Sequence, residues 1–367
     1  MKYWRGYLVA GIMFLAAWAL NQFAAAHTQL VDMVYPYMTR LFQTSLAQWA
    51  SSADFCLWQM MLLLGVGAVF ASVILMVVLR WNPAQWFGWI LAAVAAVNLL
   101  YTGIYGMNQY SGSIADDVRL ETSEYSLSAM EDAAKYYLEK AAEYSSKVVR
   151  DSSGNVKEAD FQELSQDAVK GFQVLVYEKQ YPIFAGSMLP VKQLGWSGLF
   201  SGVTGATVAF TGEAAVNPNV PAVGMPFAMC KEMSRRMSIS READATFAAF
   251  LACLANEDAA FIYSGYLQAF RQCYNALGAL DTAAGKAAYQ RVNAKLSGRV
   301  KQDLEAYNDF LGRKGTAANE DAAFLLVNWH IQTVVVPSQE KEEDKVVLFD
   351  PLDENDDRLA DLINPTE

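Results

Sequence analysis

The segment "MCKEMSRRMSISREADATFAAF", residues 229–250, holds parts of two successive helices. In the first helix, Lys231 and Arg235 are one turn apart, so their side chains point the same way. Ser240 predicts the N-cap of the second helix, whose apolar stripe begins at Phe247. The segment therefore predicts a pair of helices in which a charged face adjoins a buried stripe.

Helical patterns flank this pair on both sides. They cover residues 127–149, 158–177, 259–277 and 282–311, and a final apolar segment covers 322–336. Between them, residues 195–217 are rich in glycine, threonine and β-branched side chains, which predicts a short strand or hairpin. The predicted fold class is mainly α, with N-terminal transmembrane helices followed by a helical domain that carries a small β element.

The N-terminal part of the chain is apolar enough to enter a membrane. The chain is 53% hydrophobic and its mean hydropathy is +0.12. Three segments reach the roughly 20 residues that a helix needs to cross a bilayer. These segments are residues 7–26, 57–79 and 86–105. They predict a membrane domain over residues 1–105, in contact with the lipid bilayer, and a second domain over residues 106–339.

Basic residues near the spans predict their orientation. Lys2 and Arg5 precede the first span and Arg80 lies in the turn before the third, whereas the loop at 27–56 has one basic residue. Because such residues accumulate on the inner side, the N-terminus is expected in the cytoplasm and the second domain outside the bacterial cytoplasmic membrane. The small residues at 24–26 also fit a cleaved signal peptide, although the apolar run is long for one.

The negative charge is concentrated at the end of the chain. Residues 340–367 contain 11 acidic and 3 basic residues, which accounts for −8 of the net charge of −11. Such a run predicts a solvated, disordered tail. The negative sign disfavours binding to nucleic acid, whose phosphates attract basic proteins.

The four cysteines are too few and too scattered for a disulfide scaffold. Buried thiols are therefore the expectation. One bond among Cys230, Cys253 and Cys273 stays open, because an extracytoplasmic domain is in an oxidising environment.

Three motifs resemble those of a known family. They are "FTGEAAVN" at 210–217, "PFAMCKEMSRRMSISREADATFAAFLAC" at 226–253 and "YSGYLQAF" at 263–270. Together with the three spans, their order and spacing resemble an uncharacterised family of bacterial three-pass membrane proteins with a zincin-like domain of unknown function. The middle motif of that family contains H-E-x-x-H, in which two histidines bind zinc and the glutamate moves a proton.

The resemblance implies that the H-E-x-x-H motif is degenerate here. Its first histidine falls on Lys231, its catalytic glutamate on Glu232 and its second histidine on Arg235. Both metal-binding histidines are therefore replaced by cations, while the glutamate between them is retained.

Three further acids belong to the site that the resemblance implies. The family's third ligand falls on Asp244, Glu242 lies two residues earlier, and Glu213 matches the glutamate of the TGEA motif. Because Asp244 lies three residues before Phe247, it projects from the buried stripe, where a carboxylate needs a partner.

The two replacements argue against a metal. Arginine offers no lone pair, and lysine does so only far below its usual pKa of about 10.4. The sequence therefore predicts that the zinc of the resembled family is lost and that no metal cofactor is bound. Lys231 and Arg235 are expected to form buried ion pairs with Glu232 or Asp244 in the space that zinc would fill. The alternative is that they form a solvated helix face.

These observations predict a membrane-anchored pseudoenzyme related to zinc metallopeptidases, with Glu232 an inactive relic of the general base. Its expected work is to bind a peptide, an envelope component or a membrane-protein partner. Two alternatives stay open. One is an active metallopeptidase with an unconventional metal site built from Glu232, Asp244, Glu213 and His330; the other is a structural subunit of a membrane complex, with the cleft filled.

Overall fold

The computed structural model describes residues 4–338, except for the side chains at positions 313 and 314. It is mainly helical with one small sheet, which confirms the predicted fold class at that level. The predicted tail at 340–367 lies outside the described residues.

The α-helices are α1 (Arg5–Ala26), α2 (Thr28–Ala50), α3 (Leu57–Val78), α4 (Pro83–Ile104), α5 (Ile114–Asp117), α6 (Leu127–Ser145), α7 (Phe161–Tyr177), α8 (Met225–Arg236), α9 (Glu242–Leu254), α10 (Ala259–Ala279), α11 (Ala283–Asn293), α12 (Gly298–Leu311) and α13 (Glu320–His330).

Three of these helices, α1, α3 and α4, are long and apolar enough to cross a membrane, and they match the three predicted spans. α1 and α4 are in close contact near their first residues, where a Cβ atom on Gly6 would lie 2.5 Å from the backbone carbon of Gly88. At the other end, the Tyr110 hydroxyl donates a hydrogen bond to Asn21 at 3.2 Å. The two helices therefore run in the same direction, and glycine permits their closest approach.

The segment at 27–56, expected to be a loop, contains the helix α2. Thr39 donates a hydrogen bond to the Ser238 hydroxyl at 3.0 Å, and Gln43 donates one to the carbonyl of Ala209 at 3.0 Å. The opposite side of α2 exposes large apolar side chains, namely Leu30, Met33, Val34, Tyr37, Met38, Leu41, Phe42 and Trp49. These apolar residues recur at intervals of three and four, so the sequence carries a helical pattern, but the apolar stripe marks the outward side of α2 and not the buried one.

The core of the helical domain is built around α10, against which α6, α8, α9 and α13 pack. Phe247 and Phe250 of α9 and Phe261 and Phe270 of α10 are fully buried. The stripe predicted to begin at Phe247 is buried, as is every residue of α9 from Ala243 to Cys253. Removing water from such aromatic side chains stabilises the domain that holds the candidate site.

The single helix expected over 282–311 is two helices, α11 and α12. α11 ends at Asn293, and Ser297 is the N-cap of α12, since its hydroxyl accepts a hydrogen bond from the N–H of Val300 at 3.4 Å. A serine followed by Gly298 favours a new helix start over continuation of the old helix.

α12 is attached to the domain through a buried carboxylate. Arg150 donates two hydrogen bonds to Asp303, from Nη1 to Oδ1 at 3.1 Å and from Nη2 to Oδ2 at 2.7 Å. The hydroxyl of Tyr263 in α10 donates a third, to Oδ2 at 2.5 Å. Charge-assisted and bidentate hydrogen bonds of this kind are the strong ones in proteins.

The predicted β element is a three-stranded sheet in the order β1, β3, β2. The strands are β1 (Lys192–Gln193), β2 (Gly205–Val208) and β3 (Glu213–Val216). β1 is parallel to β3, whereas β2 and β3 form an antiparallel hairpin. The hairpin turn contains Gly212 at a φ of 65°, a conformation that favours glycine. β2 packs against α8, so the hairpin borders the candidate site.

Candidate functional site

α8 directs two of its three cations, Lys231 and Arg235, away from the core, whereas the third, Arg236, is buried. Pro226 lies in its first turn, where a missing N–H is tolerated. Cys230 and Met233 are fully buried. Lys231 and Arg235, one turn apart, are partly exposed. The helix therefore presents both cations to a cavity beside it.

We name this space the α8–α9 cavity. Its volume is about 400 Å³, within the range of sites that bind small molecules. Its charged and amide-bearing residues are Lys231, Glu232, Arg235, Glu242, Gln268, Arg271 and Gln272, and its other walls include Gly205, Thr207, Phe227, Tyr307 and Leu311. Four of the six residues that the resemblance places at the site thus line one cavity.

Glu242 is the residue that both cations bind. Lys231 forms an ion pair with its Oε1 atom and Arg235 forms one with its Oε2 atom. Burial on its own raises the pKa of Glu242, but the two cations outweigh burial, so that the pKa is lowered. About half of the Glu242 side chain stays exposed, so water screens both pairs and their stabilisation is modest.

Glu232 is buried in the wall of the cavity. The hydroxyl of Thr207 in β2 donates a hydrogen bond to its Oε2 atom at 2.8 Å. Gly205 allows this close approach, because a Cβ atom there would lie 2.6 Å from Cγ of Glu232. Burial raises the pKa of Glu232, and the opposing effects of Arg235 and Lys231 do not cancel that rise.

The stability of the Glu232→Gln variant, relative to that of the wild type, is expected to increase as the pH rises. Unfolded Glu232 has a pKa near the ordinary 4.5, whereas the folded pKa is raised. Between these values only the folded state binds the proton, so wild-type stability falls with increasing pH, by at most about 1.4 kcal/mol per pH unit. Glutamine has no such dependence. Thermal unfolding from pH 4.5 to 8 measures the difference.

Glu305→Gln is the control for this substitution, because Glu305 is exposed on α12. Its stability relative to the wild type is expected to be constant over the same range. A difference for Glu232→Gln that stays flat, or that favours the wild type at high pH, would contradict the prediction.

Asp244 lies outside the α8–α9 cavity. Arg241 donates a hydrogen bond from Nε to its Oδ2 atom at 2.6 Å, and the Ser113 hydroxyl donates one to Oδ1 at 3.3 Å. Asp244 lines a separate cavity of about 360 Å³, which Glu242 also borders, and it does not line the α8–α9 cavity. The ion pairs expected between the α8 cations and Glu232 or Asp244 are formed with Glu242 instead.

Glu213 also lies elsewhere, at the start of α3. The backbone N–H groups of Leu57 and Trp58 donate to its two carboxylate oxygens, each at 2.8 Å. Lys192 binds Oε1 at 2.7 Å and also donates to the carbonyl of Phe55 at 2.9 Å. The Glu213 carboxylate therefore caps the N-terminus of α3, since a carboxylate is favoured at a helix N-terminus. It also links this apolar helix to the sheet, because Glu213 is the first residue of β3.

Three polar residues of the cavity, Gln268, Arg271 and Gln272, are absent from the sequence-based prediction. All three are buried on α10, within the five residues that follow the YSGYL motif. A buried arginine needs partners, so its presence on the inward face was the available signal.

The donor set of the α8–α9 cavity does not fit a zinc ion. Arg235 has no lone pair to donate, and both carboxylate oxygens of Glu242 are bound to cations. His330 lies outside the cavity, where its ring packs against that of Tyr136 with centroids 4.8 Å apart and an interplanar angle of 38°. Within residues 4–338, no group of three or more histidine, cysteine or acidic side chains is placed to hold a metal ion.

A family described as "Protein of unknown function (DUF3810)" matches residues 30–328, which is most of the chain. This match confirms the expectation of an uncharacterised family and assigns no activity. No curated protein matches the sequence. No solved structure matches it either.

Proposed function

The chain belongs to the DUF3810 family, whose function is unknown, and from that premise we propose that it is a membrane-anchored, catalytically inactive relative of zinc metallopeptidases. In this proposal the α8–α9 cavity binds a peptide, an envelope component or a membrane-protein partner and does not hydrolyse it. α1, α3 and α4 anchor the chain in the cytoplasmic membrane, with the N-terminus inside and the helical domain outside.

One observation carries the proposal. Lys231 and Arg235 stand at the positions of the two metal-binding histidines of the resembled family, and both bind Glu242. Glu232 keeps the position of the general base, but it has no metal-bound water to deprotonate and accepts a hydrogen bond from Thr207. The cations thus replace the metal ligands without restoring a catalytic group.

Two further features support the proposal. The cavity volume of about 400 Å³ favours binding over the alternative of a structural subunit with a filled cleft. The parallel arrangement of α1 and α4 agrees with the proposed topology, in which both helices enter the membrane from the cytoplasmic side.

The zinc content of the purified full-length chain tests the proposal. The protein is equilibrated with zinc, desalted and analysed by elemental mass spectrometry. We expect the wild type to retain no more zinc than a buffer blank. Lys231→His combined with Arg235→His is expected to retain about one ion per chain, because two imidazoles and Glu242 make a three-ligand set. Adding Glu242→Gln is expected to remove that zinc.

A matched control is Lys301→His combined with Glu305→His, which places the same pair one turn apart on exposed positions of α12. This pair lacks the third ligand, so it is expected to lose its zinc on desalting. Stoichiometric zinc in the wild type would overturn the proposal. A folded Lys231→His, Arg235→His protein without zinc would also count against it, because the cavity would then not be a former metal site.

A further inference from the structure

The charges that line the α8–α9 cavity do not balance. Arg271 is 8% exposed. It donates hydrogen bonds to Oε1 of Gln268 at 2.9 Å and to the carbonyl of Gly315 at 3.1 Å. Both acceptors are neutral, and no carboxylate in residues 4–338 forms an ion pair with Arg271. The cavity therefore has a third cation besides Lys231 and Arg235, which share one acid.

Buried N–H donors at the cavity also lack acceptors. Gln268 is 1% exposed and lines the cavity, yet its Nε2 atom has no hydrogen-bond partner in the described part of the chain. The Nε atom of Arg235 is buried and has none either. Such donors destabilise a protein unless a bound group accepts their hydrogen bonds.

We infer that the α8–α9 cavity binds an oxyanion, the carboxylate or phosphate group of a small organic ligand, through Arg271, Gln268 and Arg235. An oxyanion only accepts hydrogen bonds, so it supplies the acceptors that these donors lack. Arginine is well suited to it, because its planar N–H groups bind carboxylates and phosphates in pairs. The inference rests on the proposed binding function and names its ligand class.

The other walls indicate the rest of the ligand. Phe227, Tyr307 and Leu311 line the cavity beside the cations, and the guanidinium of Arg271 lies 5.5 Å from the centre of the Tyr307 ring. These walls suit an apolar or aromatic body attached to the anionic group. The raised pKa of Glu232 makes its carboxyl easier to protonate, which reduces its repulsion of a bound anion.

Three probes with an aromatic body test the inference by calorimetry on the full-length protein, in a buffer free of phosphate and carboxylates. N-acetylphenylalanine carries a carboxylate, phenyl phosphate carries a phosphate, and N-acetylphenylalanine amide is neutral. We expect saturable binding of at least one anion, at least about tenfold tighter than the amide. The anion that binds more tightly identifies the carboxylate or the phosphate as the group that the cavity prefers.

Variants test whether the anion binds in the α8–α9 cavity. Arg271→Gln is expected to weaken binding of the preferred anion at least about tenfold, whereas Arg299→Gln, at an exposed position of α12, leaves it unchanged. If Arg271→Gln does not fold, Arg271→Lys and Gln268→Leu replace it, and each is expected to weaken binding without removing the fold.

Two results would overturn the inference: equal affinity for the amide and the anions, or no binding of either anion by the folded wild type. Equal affinities in the cavity variants and the wild type would do so as well, because binding would then lie elsewhere. These failures are distinct from failure of the proposed function, which depends on the zinc content of the wild type.

Discussion

Replacing Glu213 with alanine is expected to lower the free energy of unfolding by about 3–5 kcal/mol, the usual cost of leaving a buried charge without its partner. The side chains of Glu213 and Lys192 are 1% and 14% exposed in their ion pair. Alanine also removes the acceptors of the first two amides of α3. The apparent Tm of the detergent-solubilised protein, at a fixed scan rate, is expected to fall by on the order of 10 °C.

Two variants separate the causes of this loss. Glu213→Gln keeps an acceptor for one amide and removes the charge, so its Tm is expected between those of the wild type and Glu213→Ala. Glu305→Ala removes an exposed carboxylate from α12 and is expected to leave Tm nearly unchanged. Equal Tm values for Glu213→Ala and Glu305→Ala would show that the contacts at α3 do not stabilise the fold.

Asp303→Asn is expected to lower the free energy of unfolding by about 3 kcal/mol. Asp303 is buried and is the only carboxylate bound to Arg150 within residues 4–338. The amide of asparagine retains one acceptor, and its NH₂ group faces the guanidinium and leaves Arg150 with an uncompensated charge. Chemical or thermal unfolding of the full-length protein measures the loss.

Asp309→Asn is the control for Asp303→Asn, because Asp309 is exposed on the same helix. It is expected to change stability by less than about 0.5 kcal/mol. If both variants unfold at the same temperature, the attachment of α12 does not depend on the Asp303 carboxylate.

Sequence patterns predicted those parts of the fold that have a distinctive local composition. The three spans are long apolar runs, and the glycine-rich segment at 195–217 contains the hairpin of β2 and β3. α2 was not predicted, although its exposed apolar side chains recur at helical spacing, because the segment lies between two spans and was interpreted as their connecting loop. The break at Ser297 was missed because residues 282–311 keep a helical period on both sides of it.

For the candidate site, local spacing was sufficient within α8 but not across elements. The period of the helix placed Lys231 and Arg235 on one face, and the cavity contains both. The choice between Glu242 and Asp244 depends on the rotation of α9 about its axis, which the sequence does not specify. Arg271 belongs to α10 and reaches the cavity only through tertiary packing.

The contact of Glu213 with α3 bears on the order in which the protein is made. Glu213 is 156 residues further along the chain than Leu57. At ordinary rates of synthesis the ribosome needs roughly ten to thirty seconds to cover that distance. During this interval the first turn of α3 lacks the carboxylate that accepts the N–H groups of Leu57 and Trp58 in the folded protein. The start of this helix is therefore fixed after translation of the hairpin, when the later domain folds against a helix that was synthesised earlier.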